Sequence, residues 1–295
     1  MSDGDLRFGV YVLQDAPLPV LRARWREAEE LGFDDIWLPD HARDWRRPSG
    51  HWFDAWATLA VMATETVRAR IGTLVSNPLL RPPAMLARLA TTVDHLSGGR
   101  LELGIGTGIA GFDHDATGTP YWPIDERLAR FAEYVAIVEE LLRHAPNPVS
   151  YEGRFHRSAG LGLEPPPLQR PRPPLTVGGQ SPTVLRVAAE RADCWNTHGP
   201  FGRSVDEILE ITRRQNARLD QLCRERGRNP ADLRRSLLLY DALDAWATPD
   251  AFDKIVSAFG DIGVTEFVVF WPLDSQHALF ERAALESIPA LRARA

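Results

Sequence analysis

The 295-residue chain is predicted to fold as a single (β/α)8 barrel, one domain spanning 1–295. Three observations predict it. Short strand-like apolar runs alternate with longer helical ones eight times, no composition break divides the chain, and the length suits one α/β barrel. A doubly wound sheet is the alternative, and eight uninterrupted strands favour closure.

The first unit pairs a β-rich run, Phe8 to Leu13, with helical spacing from Val20 to Leu31, where Gly32 stands as the residue that ends the helix. Asp35 to Leu38 and Asp54 to Thr66 form the second unit, and Ile71 to Ser76 and Pro82 to Leu96 the third. Pro82 and Pro83 suit a first helical turn, where a missing N–H costs nothing. Leu101 to Ile105 and Ile124 to Leu142 make the fourth unit.

The rhythm pauses between His144 and Pro174, where eight prolines and several glycines prevent a long helix. This proline-rich insertion is too short for a domain. It reads as a loop between the fourth helix and fifth strand, packed across the barrel. The alternation resumes with Leu175 to Val177 and Pro182 to Arg191, then Cys194 to Thr197 and Val205 to Arg226. Ser236 to Leu243 with Pro249 to Phe259, and Phe267 to Trp271 with His277 to Ile288, complete eight units.

Composition narrows the function classes. The chain is 44% apolar and 25% charged, with a net charge of −6 and no long basic run, which argues against a nucleic-acid surface. Folding at this length buries roughly three quarters of the unfolded surface. Cys194 and Cys223 are too few for a disulfide framework or a zinc site, and fit a reducing compartment. No segment approaches the roughly 18 apolar residues of a membrane helix. The start, Met1 to Arg7, is polar and acidic and does not read as a secretory signal, so a cytoplasmic protein acting on a small molecule is expected. Lys254 is the sole lysine, which removes Schiff-base chemistry at any other position.

Active sites of such barrels lie at the carboxyl ends of the strands. Those ends carry Gln14 and Asp15, Asp40 and His41, Ser76 and Asn77, Gly106 to Gly108, Gly178 to Ser181, His198, Asp241 or Asp244, and Trp271. Gly104-Ile105-Gly106-Thr107-Gly108 lets a backbone pass close to something, whether a ligand or neighbouring side chains in a tapered barrel. Gly178-Gly179-Gln180-Ser181 enters a helix with Ser181 as N-cap and Pro182 behind it. That is either a ready phosphate site or a well-capped turn.

His41 next to Asp40 suits a group that moves a proton, or a hydrogen-bonded structural histidine. Asp113 lies in a glycine-rich loop after the fourth strand, as an acid, a base or a solvated aspartate. Asp125 and Glu126 read as favourable first-turn charges. Asp40, His41, Asp44 and His51 lack both a His-x-His strand pair and a His-Glu-x-x-His helix, so no metal is expected. Of nine tryptophans, Trp45, Trp122 and Trp271 are placed to wall an aromatic pocket.

Four segments resemble the bacterial luciferase-like family of flavin- and deazaflavin-dependent oxidoreductases. They are Trp37-Leu38-Pro39-Asp40-His41; Ser76-Asn77-Pro78 with Arg81-Pro82-Pro83; Ser97-Gly98-Gly99-Arg100 running into Leu103 to Gly108; and Pro174 to Gly179 with Ala188-Ala189 and Ala192 to Asn196. Their order and spacing together carry the resemblance over nearly the whole chain.

The resemblance implies a barrel, commonly a homodimer, and a redox coenzyme. The tract Asp40-His41 with Trp45 is similar to that of deazaflavin-using sugar-phosphate dehydrogenases, implying hydride transfer between coenzyme F420 and a small organic substrate. By that likeness His41 and Asp113 are the catalytic pair, and Asp113 stands where those enzymes carry a glutamate that donates a proton. Asp40, Gly106, Thr107, Gly108, Gly178, Gly179, Gln180 and Ser181 would contact the coenzyme, with Arg203 pairing its phosphate. Val75, Ser76 and Asn77 would lie behind its ring, with a cis peptide expected at Val75–Ser76. Trp45, Trp122, His198 and Trp271 would wall the substrate pocket.

Those dehydrogenases surround the sugar phosphate with lysines that this chain lacks, which argues against glucose 6-phosphate. Mouth residues 45–53 and the insertion are expected to select the substrate. The alternatives are an FMN-dependent monooxygenase fed by a partner reductase and a flavin-binding barrel without turnover. A flavin or F420 reductase is an expected indirect partner.

Overall fold

The computed structural model describes residues 6–294. Strands β1 (Arg7–Tyr11), β2 (Asp35–Leu38), β3 (Arg70–Ser76) and β4 (Leu101–Ile105) alternate with helices α1 (Leu18–Glu30), α2 (Ala55–Glu65) and α3 (Pro83–Leu96). A short helix, α4 (Gly111–Thr117), precedes α5 (Ile124–His144), and the hairpin β5 (Val149–Glu152) and β6 (Arg157–Leu161) follows. Then come β7 (Leu175–Gly178), α6 (Pro182–Arg191), β8 (Cys194–Thr197), α7 (Val205–Arg224), β9 (Arg234–Leu239), α8 (Ala251–Gly260) and β10 (Glu266–Phe270). Helices α9 (His277–Arg282) and α10 (Ile288–Arg292) close the chain, joined by a π turn over Ala283–Ser287.

Eight strands close a parallel barrel in the order β1-β10-β9-β8-β7-β4-β3-β2, as the eight-unit rhythm predicts. Local chemistry starts the helices where expected. Asp54 caps α2 by accepting the Ala57 N–H at 2.8 Å, and Ser204 with Glu207 forms a reciprocal capping box on α7. Among the described residues no helix is long and apolar enough to cross a membrane.

Two expectations are corrected. The seventh strand ends at Leu239, and Asp241–Leu243 forms a 3-10 turn instead of extending it. The insertion is not simply a loop: β5 and β6 pair antiparallel, because Glu133 on α5 gathers the N–H groups of Arg154, Phe155 and His156 at the hairpin tip. The rest straps past α3 to the amino-terminal end of the barrel. There Asp94 accepts the Leu168 and Gln169 N–H groups, and Gln169 bonds Arg70 and the Leu101 carbonyl.

Strand alternation sorts the barrel interior into layers. The floor is ionic: Glu102 receives Arg70 Nε at 2.6 Å and Arg234 Nη2 at 3.1 Å, while Arg7 pairs with Asp35 and Arg234 with Glu266. Above it Trp37 fills the barrel centre with Tyr11, Leu74, Leu238 and Val268. Only glycine fits beside that indole. A Cβ on Gly9 would stand 2.9 Å from Trp37 Nε1, and one on Gly72 would stand 2.7 Å from its Cζ3 and 2.2 Å from the Glu102 carbonyl oxygen. The outward residues, Phe8, Val10, Ile36, Leu103 and Val177 among them, form the core between barrel and helices. With the floor and Trp37 filling the rest, the open space lies at the carboxyl ends.

Candidate active site

A cleft of about 710 Å³ opens at the carboxyl ends of the strands. Its base is the end of β3. The β3–β4 register slips between Thr73 and Ser76, and a cis peptide joins Leu74 to Val75, one bond earlier than expected at Val75–Ser76. The Val75 side chain stands between β4 and β7. A Cβ on Gly106 would approach Val75 Cγ2 to 2.3 Å, and one on Gly178 would approach Cγ1 to 2.9 Å. Both glycines therefore make room for an apolar platform facing the cleft.

Past β2, Asp40 is buried and held from two sides. It accepts the Asn77 N–H at 2.9 Å and both terminal nitrogens of Arg81, with Nη2 at 3.0 Å from Oδ1. Burial pushes this carboxyl up from its ordinary value, against the downward pull of Arg81 and the Asn77 N–H.

His41 and Asp113 form the polar centre. Asp113 is fully buried; its Oδ1 accepts the Ala42 N–H at 2.8 Å, and its Oδ2 lies 2.7 Å from both Asn77 Nδ2 and His41 Nδ1. A carboxylate receiving three donors fixes the imidazole with Nδ1–H toward Asp113, leaving the Nε2 lone pair for the cleft. Trp45 and Phe112 flank the ring at 5.3 and 5.4 Å, and Trp52 Nε1 holds the His41 carbonyl at 2.7 Å. Asp113 does not line the cleft and sits in the first turn of α4, not in a solvated loop. This corrects its placement as a group that meets substrate. Gly118, left-handed at φ 65° after α4, is the sequence signal of that helix end.

At the other end, Gly178, Gly179, Gln180 and Ser181 line the cleft where α6 begins. Ser181 Oγ accepts the Val184 N–H at 3.3 Å, and Gln180 Nε2 donates to the Gly199 carbonyl at 2.7 Å, so both side chains also secure the turn. Arg127, in the first turn of α5, lines the same cleft. It is 5% exposed; Nη1 donates to the Tyr121 hydroxyl at 2.9 Å, Nε is buried without a partner, and no carboxylate pairs with it among the described residues.

The remaining wall is aromatic: Tyr11, Trp45, His198, Phe201, Tyr240 and Phe270. Tyr240 stacks on Phe270 at 5.1 Å and accepts Trp45 Nε1 at 3.3 Å. Burial lowers the His198 imidazole from its ordinary value and pushes the Tyr11 phenol well up.

Of the residues expected at the site, Asp40, His41, Trp45, Val75, Ser76, Asn77, Gly106, Thr107, Gly108, Gly178, Gly179, Gln180, Ser181 and His198 line the cleft together. Three do not. Arg203 is exposed and pairs with Glu207 at 3.1 Å, one turn along α7. Trp122 faces away, with Arg130 4.5 Å over its ring. Trp271 packs on Phe280 at 5.2 Å among the helices. The insertion contributes no lining residue, and of 45–53 only Trp45 does; beside it the expected His198 and the unexpected Phe201 and Tyr240 line the cleft. Tyr11, Phe270 and Leu238 were discoverable as inward positions of alternating strands. Arg127 follows the acidic first-turn residues Asp125 and Glu126, and no local sequence signal sets it apart from them.

Comparison with known proteins agrees with this architecture. Residues 6–251 match the model of the luciferase-like monooxygenase family. An F420-dependent glucose-6-phosphate dehydrogenase of Kineococcus radiotolerans is 34% identical over 168 residues, 57% of this chain and 48% of the relative. Its counterpart in Beutenbergia cavernae is 27% identical, covering 90% of this chain and 91% of the relative. The match thus spans about half the length of the first relative and nearly all of the second. Among solved structures, an F420-dependent secondary alcohol dehydrogenase bound to an F420-acetone adduct superposes with a TM-score of 0.82 at 19% identity, over 97% of this chain and 99% of that one. A monooxygenase of Streptomyces bottropensis gives 0.78 at 20% identity, over 97% and 100%. With the family model matched along most of its length and the barrel closed as in these structures, the chain belongs to the luciferase-like monooxygenase family.

Proposed function

We propose that this protein is an oxidoreductase that uses coenzyme F420 to move a hydride to or from a small organic substrate. The observation that carries the reading is the His41–Asp113 pair, an oriented imidazole facing a cleft with an apolar floor. The F420-dependent relatives direct it to the deazaflavin rather than FMN. The residues present fit the coenzyme. Val75 offers a flat-ring platform between Gly106 and Gly178, and Arg127, which no carboxylate neutralises among the described residues, would suit a phosphate together with the start of α6.

When bound, F420 supplies a ring carbon that accepts or gives a hydride. The chain supplies the rest. Val75, Gly106 to Gly108 and Gly178 to Ser181 orient the ring and its tail. Arg127, in place of Arg203, would hold the phosphate. His41 Nε2 takes the substrate proton in the oxidative direction and returns it in the reductive one. Asp113, with Asn77, positions that imidazole and does not itself meet substrate. The aromatic wall excludes water from the reacting atoms.

A homodimer, a cytoplasmic location and reduced coenzyme supplied by a separate reductase belong to the same reading. Exposed Val61 on α2 and Met85 on α3, neighbouring helices, supply apolar surface for such a dimer. The functional test is a pair of calorimetric titrations, F420 and FMN against the purified apoprotein. Preference for F420, with hydride transfer that consumes no oxygen, is expected. Preference for FMN with oxygen uptake would move the assignment to a two-component monooxygenase.

A further inference from the structure

Arg127 is the only Arg or Lys among the described residues lining the cleft. If it serves the coenzyme phosphate, no cation remains for a phosphate on the substrate. A phosphate monoester carries nearly two negative charges, and seating it against Trp45, Phe201, Tyr240 and Phe270 would strip its hydration with no cation to balance it.

The same wall carries a polar atom held in place. The Tyr240 ring is held by Phe270 at 5.1 Å and by the edge of Phe201 at 5.5 Å. Its oxygen accepts the Trp45 indole N–H at 3.3 Å, and Trp45 is its one side-chain partner among the described residues. A phenol that has already accepted still has its own O–H to give. Trp45 also packs edge-on to His41 at 5.3 Å, so it ties the hydroxyl and the imidazole to one part of the cleft.

We propose that the substrate is an uncharged alcohol–carbonyl pair on an apolar or aromatic body, its oxygen held between His41 Nε2 and the Tyr240 hydroxyl. The proposal rests on the coenzyme F420 reading above. In the oxidative direction the C–H bond breaks and its electron pair leaves with the hydride to the oxidised coenzyme. The O–H proton passes to His41 Nε2, and the C=O bond forms. Tyr240 donates to that oxygen throughout and is unchanged at the end. This makes Tyr240 a specificity-determining residue, and it separates this chain from relatives named for a sugar phosphate.

The test is calorimetric binding of 1-phenylethanol, ethylbenzene and glucose 6-phosphate to wild type and Tyr240→Phe, each with and without F420. Wild type is expected to bind 1-phenylethanol, with no saturable binding of glucose 6-phosphate. Tyr240→Phe weakens 1-phenylethanol about tenfold, the effect of one lost hydrogen bond. It leaves ethylbenzene and F420 within twofold, which also shows that the variant is folded. The proposal is overturned if glucose 6-phosphate binds more tightly than 1-phenylethanol, if 1-phenylethanol does not bind, or if the variant binds it like wild type. Failure of F420 to bind sinks the coenzyme reading instead, and the coenzyme-free titrations still decide the role of Tyr240.

Discussion

Asp113 Oδ2 stands 2.7 Å from His41 Nδ1 and has no solvent exposure, so the carboxylate acts on the imidazole and not on anything in the cleft. Asp113→Asn replaces one acceptor with a donor and sets it against the Ala42 N–H, the Asn77 amide or His41 itself. Turnover with F420 is expected to fall by about 10²-fold or more, the range of a positioned general base. F420 affinity should stay within twofold. The split between binding and turnover is the decisive reading: a wrongly oriented imidazole lowers kcat while F420 affinity and the denaturant midpoint hold, whereas a purely structural loss lowers all three.

Why the site was only partly legible follows from these residues. Strand ends could be read because alternation and turn chemistry are local, and they placed Asp40, His41, Asn77, Gly106 and Gly178 at one mouth. Asp113 and His41 are 72 positions apart, and only barrel closure brings them together. Nothing local marks Arg127 as unpaired, since lacking a partner is a property of the folded neighbourhood. Trp122 and Trp271 were misplaced because a large aromatic beside a strand end suits the helix layer as well as the mouth. The insertion carries no local strand signal because its hairpin depends on Glu133, in the preceding helix, to gather the turn.

Arg127 yields effects of opposite sign on stability and binding. A buried guanidinium with an unpartnered Nε carries a desolvation cost, so Arg127→Met should stabilise the apoprotein by about 1 kcal/mol in denaturant titration, despite the lost Tyr121 contact. F420 should bind roughly 10- to 100-fold more weakly, as expected for a lost charge-assisted hydrogen bond. Arg203→Ala, at an exposed i,i+4 pair, should change neither by much. Equal F420 affinity in Arg127→Met and wild type would remove Arg127 from the phosphate site.

Val75 and Gly106 are coupled by contact, and a double-mutant cycle measures the coupling. The Cβ of Gly106→Ala meets Val75 Cγ2 at 2.3 Å, so Val75 must move, at a cost of about 1–3 kcal/mol in stability and with weaker F420 binding. Val75→Ala removes the clashing methyl groups. In the double variant the penalty from Gly106→Ala should shrink by half or more. Additive losses would mean that the glycine serves the ligand directly and not Val75.

His198 sets a pH dependence whose sign is fixed by burial. Its folded imidazole titrates below the ordinary 6.5, while the unfolded chain takes up a proton at that ordinary value. The stability linked to His198 is therefore complete above pH 6.5 and is lost as pH falls from there toward the lower folded value. His198→Phe keeps a ring against Phe201, whose centroid lies 4.7 Å away, and removes the titration. Denaturant midpoints of the two proteins between pH 8 and pH 5 should show wild type losing more stability on acidification. The contribution of His156, which burial also lowers, is common to both and cancels in the difference. Parallel curves would mean that His198 is protonated as readily in the fold as outside it, and that the cleft beside Phe201 is wetter than its aromatic lining implies.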